Sequence, residues 1–317
     1  MTHHFILTRF NLPLWKYDKH NHRIDAAKWI EERLSLFETY CLPSVASQSC
    51  KDFTWVLLCD ENTPEKYRER IKGYRIICPQ IELIQVEDGY AWKFPDIFSE
   101  VVTSMLEKKG VSEGDICLTT QLDNDDALSE NFIANVVQYV SDGIKTDTWM
   151  KRCVSFDGSI GEVCFVSFDY GIQYYADLTM ATRVRYPNNH FMTCVERVHK
   201  VEVQSTGDST ESANTAVCEL RACYGYGSHF LLEENTDIPV HHITDKYPMW
   251  CETIHDNNVD NDVKMTFDTE IIKDVDMMKR DYHVDVLLRV HIFAFAVRCF
   301  GQILRRMKYK VISRRWR

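Results

Sequence analysis

Hydrophobic positions along the chain follow two periods. Phe5–Phe10 reads as a first strand. From Asp25 to Cys41 apolar residues fall at Ala26, Ile30, Leu34, Phe37 and Cys41, steps of three and four that form one helical stripe, and Pro43 is expected to stop it. Phe53–Cys59 is nearly continuously apolar, the mark of a strand covered on both faces. Thr63-Pro64-Glu65 reads as a helix start, with a hydroxyl N-cap, proline at the first position and an acid near the positive end; that helix is expected to end near Gly73. A strand Ile81–Val86, a helix Pro95–Lys109 closed by Gly110, and a buried-type strand Ile116–Thr120 follow. Ser129 is placed to cap the next helix, whose stripe is Phe132, Ile133, Val136, Val137 and Val140 and whose end is Asp142-Gly143.

Residues 1–143 thus alternate strand and helix at βαβ spacing, which predicts an α/β fold with a mostly parallel sheet and helices on both faces. Beyond Trp149 the pattern weakens. Val163–Phe168 reads as a strand, and the polar stretch Lys200–Asn214 as an exposed loop. The expected organisation is one domain over 1–275, in halves 1–143 and 144–275, and a tail over 276–317. There is no internal repeat. No Gly-x-Gly-x-x-Gly follows the first strand and no P-loop occurs, so classical dinucleotide and P-loop folds lose support.

Composition adds a core and a charge split. Of the 317 residues 45% are apolar and 12% aromatic, which excludes global disorder. The formal net charge of -10 hides an uneven distribution: 11 basic and 2 acidic residues lie from Lys279 to Arg317, a net of +9, against 26 basic and 45 acidic elsewhere, a net of -19. The acidic total speaks against a nucleic-acid partner. The run Phe5-Ile6-Leu7 is short and interrupted by Arg9, so an export leader is not expected. Twelve scattered cysteines without a C-x-x-C pair exclude a zinc ribbon and fit a reduced, cytoplasmic protein using cysteine as a small hydrophobe.

Val284–Leu304 is apolar but broken by Asp285, Arg289, His291 and Arg298, so it is not expected to span a membrane. Arg305, Arg306, Lys308, Lys310, Arg314, Arg315 and Arg317 follow. The expectation is an amphipathic basic helix on an anionic membrane surface, peripheral on the inner face of the plasma membrane, with each cation adding roughly 1 kcal/mol. The competing reading is a helix packed on the acidic body with its charges solvated.

The candidate chemistry lies in Thr119-Thr120-Gln121-Leu122-Asp123-Asn124-Asp125-Asp126-Ala127-Leu128, directly after a buried strand. In open α/β sheets that edge is where ligands bind. Three carboxylates this close repel: at about 5 Å and an effective dielectric near 20, each pair costs on the order of 3 kcal/mol. A divalent cation with hard oxygen ligands, Mg²⁺ or Mn²⁺, removes that cost. A solvated acidic turn that caps the next helix competes with this. An EF-hand is excluded, because its sixth and twelfth positions would be Leu128 and Ala134. A metal-dependent phosphoesterase or nucleotidyl transferase would use similar carboxylates and stays open on chemistry alone, as does a non-catalytic sugar-binding protein.

At these residues the chain resembles a known family. Asp-x-Asp after a buried strand is the metal signature of GT-A-type glycosyltransferases. It occurs here with Phe5-Ile-Leu-Thr-Arg-Phe-Asn11, Trp29, Arg33, Phe37-Glu38, Cys41-Leu-Pro-Ser44, Gln48, Phe53-Thr-Trp55, Asn189-His-Phe191, Glu196, and Met249-Trp250 through His255 with Asn258. Together these resemble the bacterial "putative rhamnosyl transferase" family, a relative of glycosyltransferase family 2, over about residues 5–260. Gln121 departs from the Arg expected there.

The resemblance implies a GT-A fold, with a nucleotide-sugar-binding half at 1–143 and an acceptor-side half at 144–275. It implies transfer of a sugar, rhamnose by the family's name, from a nucleotide-diphosphate sugar donor to a glycan or lipid-linked acceptor in surface polysaccharide synthesis, with inversion. By motif, Asp125 is the direct metal ligand, with Asp123 serving the ribose or the metal through water, and His255 completing the set. Thr8, Arg9, Asp60, Asp123 and Asn124 are the expected nucleotide-sugar contacts, and Glu196 or Asp157 the catalytic base. Trp92 and Trp149 are expected in the core rather than stacked on sugar.

Overall fold

β1 (Thr2–Arg9) turns Phe5 and Leu7 to one face of a sheet and Ile6 to the other. All three are fully buried, so both faces are covered. Each such side chain contributes roughly 1.5–3 kcal/mol by leaving water. The structure, a computed structural model, describes residues 1–14, 25–146, 149–154, 160–203, 214–217, 220–229, 232–235, 237–255 and 269–315.

After β1 come α1 (Ala26–Leu36), α2 (Leu42–Ala46), β2 (Thr54–Asp60), α3 (Glu65–Ile77), β3 (Ile81–Val86), α4 (Phe94–Lys109), β4 (Ile116–Gln121), β5 (Ala127–Leu128) and α5 (Phe132–Gly143). Then follow β6 (Lys151–Val154), β7 (Ile160–Phe168), β8 (Tyr170–Tyr175), β9 (Met180–Arg185), β10 (Thr193–Arg197), β11 (Lys200–Val203), β12 (Asn214–Val217), α6 (Leu232–Asn235), β13 (Val240–Ile243), β14 (Trp250–Ile254), β15 (Glu270–Ile271), α7 (Met277–Asp281) and α8 (Ile292–Arg315).

The main sheet runs β13-β7-β10-β4-β1-β2-β3, with β6 on β7. β4, β1, β2 and β3 are mutually parallel, as the alternation predicts, while β10 runs against β4 and β7. One face packs Ile6, Trp55 and Leu57 with Leu34, Phe37, Ile133 and Val136. The other packs Phe5, Leu7, Val56 and Leu58 with Phe98, Val102 and Leu106 of α4. A second sheet, β15-β9-β8-β14-β5, begins beside the acidic loop.

Several local expectations are corrected. Pro43 does not stop the first helix. A π-helical turn, Phe37–Cys41, shifts the hydrogen bonding so that the Leu42 N–H reaches the Phe37 carbonyl, and helix resumes through Pro43 as α2. The wider register absorbs the missing proline N–H. α3 runs past Gly73 because Tyr74 is buried and donates its hydroxyl to Glu38 Oε1 at 2.6 Å, while Arg70 holds both oxygens of Glu38. Thr63 does not cap α3; its hydroxyl donates to the Asp60 carbonyl and accepts from Asn11. Ser129 does not cap α5 through its side chain, because its hydroxyl points to Met249 Sδ. The ends of the polar stretch Lys200–Asn214 pair as β11 and β12, and residues 204–213 lie outside the described ones.

The expected boundary at 276 falls inside packed structure. Met277, Met278, Tyr282, Val284 and Leu288 are buried with Tyr40, Ile172 and Tyr174 of the body. α8 continues this packing at its start, with Phe295 and Cys299 buried against Tyr175 and Met180. Among the described residues, no helix is long and apolar enough to cross a membrane, and none of the cysteines forms a disulfide.

Candidate functional site

The acidic loop leaves the carboxyl end of β4 and returns as β5 on β14, so its three aspartates sit where the two sheets meet. Each is met by a different cation. Arg9, at the end of β1, donates from Nη2 to Asp123 Oδ1 at 2.9 Å. Its guanidinium lies over Phe94 at 5.0 Å and over Tyr224 at 5.3 Å. Arg33 of α1 donates to Asp125 Oδ2 at 2.9 Å and to Asn124 Oδ1 at 3.2 Å. His255, just after β14, is hydrogen-bonded through Nε2 to the same Asp125 oxygen at 2.9 Å. Among the described residues no arginine meets the Asp126 carboxylate: Oδ2 is 2.8 Å from His190 Nε2, and Oδ1 accepts the Thr253 N–H at 2.8 Å.

His190 reaches the loop because Asn189 braces its turn. The Asn189 amide donates to the carbonyls of Phe168 and Tyr186 and to the Ser167 hydroxyl, and its carbonyl accepts the Phe191 N–H. Phe191 stacks on Trp250 at 5.0 Å. Trp250 in turn lies on Gly171, where a Cβ would come within 2.1 Å of the indole. The strand that carries Thr253 and the turn that carries His190 are therefore packed through one ring pair.

The electrostatics separate the three acids. Burial works to raise Asp123, but the charge of Arg9 and its hydrogen bond hold it below the usual carboxylate range. Burial likewise opposes ionisation of Asp125, yet the His255 hydrogen bond and Arg33 lower it to about 2. Asp126 goes the other way: burial raises it, and the neighbouring Asp125 and Asp123 charges reinforce that against the His190 bond. His190 is raised as well, since its contact with Asp126 outweighs burial. The Asp126–His190 pair therefore keeps a proton that a cation would displace.

Among the described residues, one group has ligand atoms mutually close enough for a metal: Asp123, Asp126 and His190, all within 4.8 Å of one another. The expected set was Asp123, Asp125 and His255. Of that set, Asp125 shares its Oδ2 between Arg33 and His255, each at 2.9 Å. Two carboxylates and an imidazole fit Mn²⁺ well and Mg²⁺ less typically. The Asp123 side chain, 34% exposed, leaves this group open to solvent.

The other expected contacts are placed as follows. Asn124 donates its amide to the Phe10 carbonyl, a loop-bracing role. Thr8 is buried and accepts from the Trp55 indole at 3.0 Å, which leaves its hydroxyl within the core. Asp60 stands at the end of β2, with Oδ1 accepting the Asn62 N–H at 3.0 Å. Glu196 is buried on β10, and its oxygens accept from the N–H groups of Arg221 and Ala222 and the Tyr226 hydroxyl. These three donors tie Glu196 to the 221–226 turn. Asp157 and Asn258 lie outside the described residues. Trp149 is buried and stacks on His241, whereas Trp92 is 58% exposed, against the expectation of a core role.

His190, Asp126 as a ligand, and Arg33 as the partner of Asp125 were not assigned by the sequence. The signal was present in Asn189-His190-Phe191 and in Arg33, both part of the quoted resemblance, but no local spacing ties them to the loop. A small cavity beside His190 is lined by Gln121, Met192, Tyr226 and His229. Gln121, the departure noted above, faces it.

A family model described as "Putative rhamnosyl transferase" matches residues 4–200. Among solved structures, S. aureus TarS residues 1–349 is similar, with a TM-score of 0.37 and 12% identity over 80% of this chain and 60% of that one. The same protein in complex with UDP-GlcNAc gives a TM-score of 0.33 and 13% identity over 82% of this chain and 60% of that one. The chain thus spans about 60% of the length of these structures. No curated protein matches it.

Proposed function

The chain belongs to the putative rhamnosyl transferase family, and from that premise we propose that it moves a sugar, rhamnose by the family's description, from a nucleoside-diphosphate donor to a hydroxyl acceptor in surface polysaccharide synthesis. The observation that carries this reading is the Asp123–Asp126–His190 group at the carboxyl edge of β4, with Arg9 beside it.

Mn²⁺ or Mg²⁺ held by Asp123, Asp126 and His190 would supply positive charge to the leaving diphosphate. Arg9 adds a fixed cation at the same edge. Its planar guanidinium, flanked by Phe94 and Tyr224, is restrained for bidentate phosphate contact, and on donor arrival it exchanges Asp123 for phosphate oxygen. Arg33 and His255 keep Asp125 ionised and fix the loop without entering the reaction. Asp60, at the end of β2 with one oxygen engaged by the Asn62 N–H, would take the ribose or base. With Glu196 committed to the 221–226 turn, the inverting reading rests on Asp157 as the base.

The test is a screen of nucleotide sugars for divalent-metal-dependent nucleotide release. The expected result is release from one donor that stops on chelation and in Asp126→Asn. Release from none, or hydrolysis of a generic phosphate ester instead, overturns the reading.

A further inference from the structure

α8 is held to the body along one side only. Phe295 and Cys299 are buried with Tyr175 and Met180 of the β8–β9 hairpin. Arg298 pairs with Asp177 and lies over the Tyr175 ring at 5.3 Å. Away from this contact stand Phe293, Val297, Phe300 and Leu304, spaced four, three and four apart and between 50% and 83% exposed. In the sequence the same spacing continues to Met307 and Val311. Scattered exposed apolar residues are ordinary, but a continuous row of this length marks a surface that is covered in use.

Charge decides between occupants. From Ile292 to Arg317 the basic residues are Arg298, Arg305, Arg306, Lys308, Lys310, Arg314, Arg315 and Arg317, and there is no acidic residue. A second copy seated on the row would bring two cationic segments together with no acid to pair them. An anionic lipid surface accepts both features, since the stripe enters the acyl boundary while the cations meet the headgroups. The helix is not apolar enough to cross.

We infer that α8 is an interfacial helix that docks the protein on an anionic lipid surface through Phe293, Val297, Phe300 and Leu304. The docking does not depend on the transfer reaction. The hairpin that anchors α8 belongs to the sheet whose β14 carries Thr253 to Asp126, so the docked helix and the candidate site share one support.

The experiment is sedimentation of the full chain with vesicles of phosphatidylcholine alone or with phosphatidylglycerol added. Binding to the phosphatidylglycerol vesicles only, weakened by high salt, is expected. Phe293→Asp with Phe300→Asp lowers the bound fraction about tenfold with an unchanged thermal midpoint. Should that variant misfold, Lys308→Glu with Lys310→Glu is expected to show the same loss. No sedimentation with anionic vesicles, equal sedimentation with neutral ones, or a concentration-dependent dimer that the Phe293 and Phe300 substitutions dissolve would each overturn the inference, the last in favour of a second copy.

Discussion

His190 Nε2 lies 2.8 Å from Asp126 Oδ2, joining the turn before β10 to the loop after β4 across 64 residues of sequence. Asp123 and Asp125 each have an arginine, and Asp126 has this imidazole and a backbone N–H instead. A cation would therefore displace the proton of the Asp126–His190 pair rather than an arginine, and Asp123 opens that side of the loop to solvent.

Arg9 bears on donor binding more than on folding. Its ion pair with Asp123 is partly exposed, and such pairs contribute less than about 1 kcal/mol. Arg9→Ala is expected to change the urea midpoint little. It should lower kcat/KM for the donor by about 10- to 100-fold, the loss of a charge-assisted phosphate contact. Steady-state kinetics beside urea unfolding read both.

Glu196 should behave as an anchor. Glu196→Gln leaves buried N–H groups of Arg221 and Ala222 competing for one acceptor, and a loss of about 2 kcal/mol is expected in urea unfolding. The folded variant should keep kcat within about tenfold of the parent. Unchanged stability with kcat down by about a thousandfold would instead mark Glu196 as the base.

The packing that brings the two sheets together can be probed at Gly171. Gly171→Ala places a Cβ against the Trp250 indole, an overpacking expected to cost about 1–3 kcal/mol. Because Trp250 precedes Thr253 on the same strand, Mn²⁺ affinity measured by calorimetry should fall as well. Wild-type stability in this variant would show that the ring moves aside freely.

His4 predicts an acid sensitivity unrelated to the site. It is buried on β1, between β2 and β4, with Nε2 bonded to Thr120 and Nδ1 lacking a partner among the described residues, and burial lowers its pKa to about 3. Below about pH 6.5 the unfolded chain takes up a proton that the folded one refuses, so stability declines as pH falls from there toward 3. The contribution at pH 5 is about 2 kcal/mol. Urea unfolding of His4→Gln against the parent, at pH 7 and pH 5, should show a smaller drop in the variant.

Much of the sheet was legible, because Ile6, Trp55 and Leu118 belong to runs that a doubly covered parallel strand requires. Helix ends were less so. Pro43 and Gly73 look like stops, yet the π-helical turn Phe37–Cys41 carries helix through the first and the Glu38–Arg70–Tyr74 contact carries it past the second, and both exist only after folding. In the loop, the position of Asp123 follows from the strand that precedes it. Which acid an arginine claims does not, because Arg33 reaches Asp125 from a different helix. His255 arrives beside the cluster but pairs with Asp125, while His190 was hidden in a turn set by Asn189.

The most direct test compares Mn²⁺ binding by titration calorimetry, with a nucleoside diphosphate present, in His190→Gln and His255→Gln. Binding weakened by about tenfold or more in His190→Gln and nearly retained in His255→Gln is the predicted result. Loss in His255→Gln with retention in His190→Gln would place the cation at Asp125 and contradict the assignment.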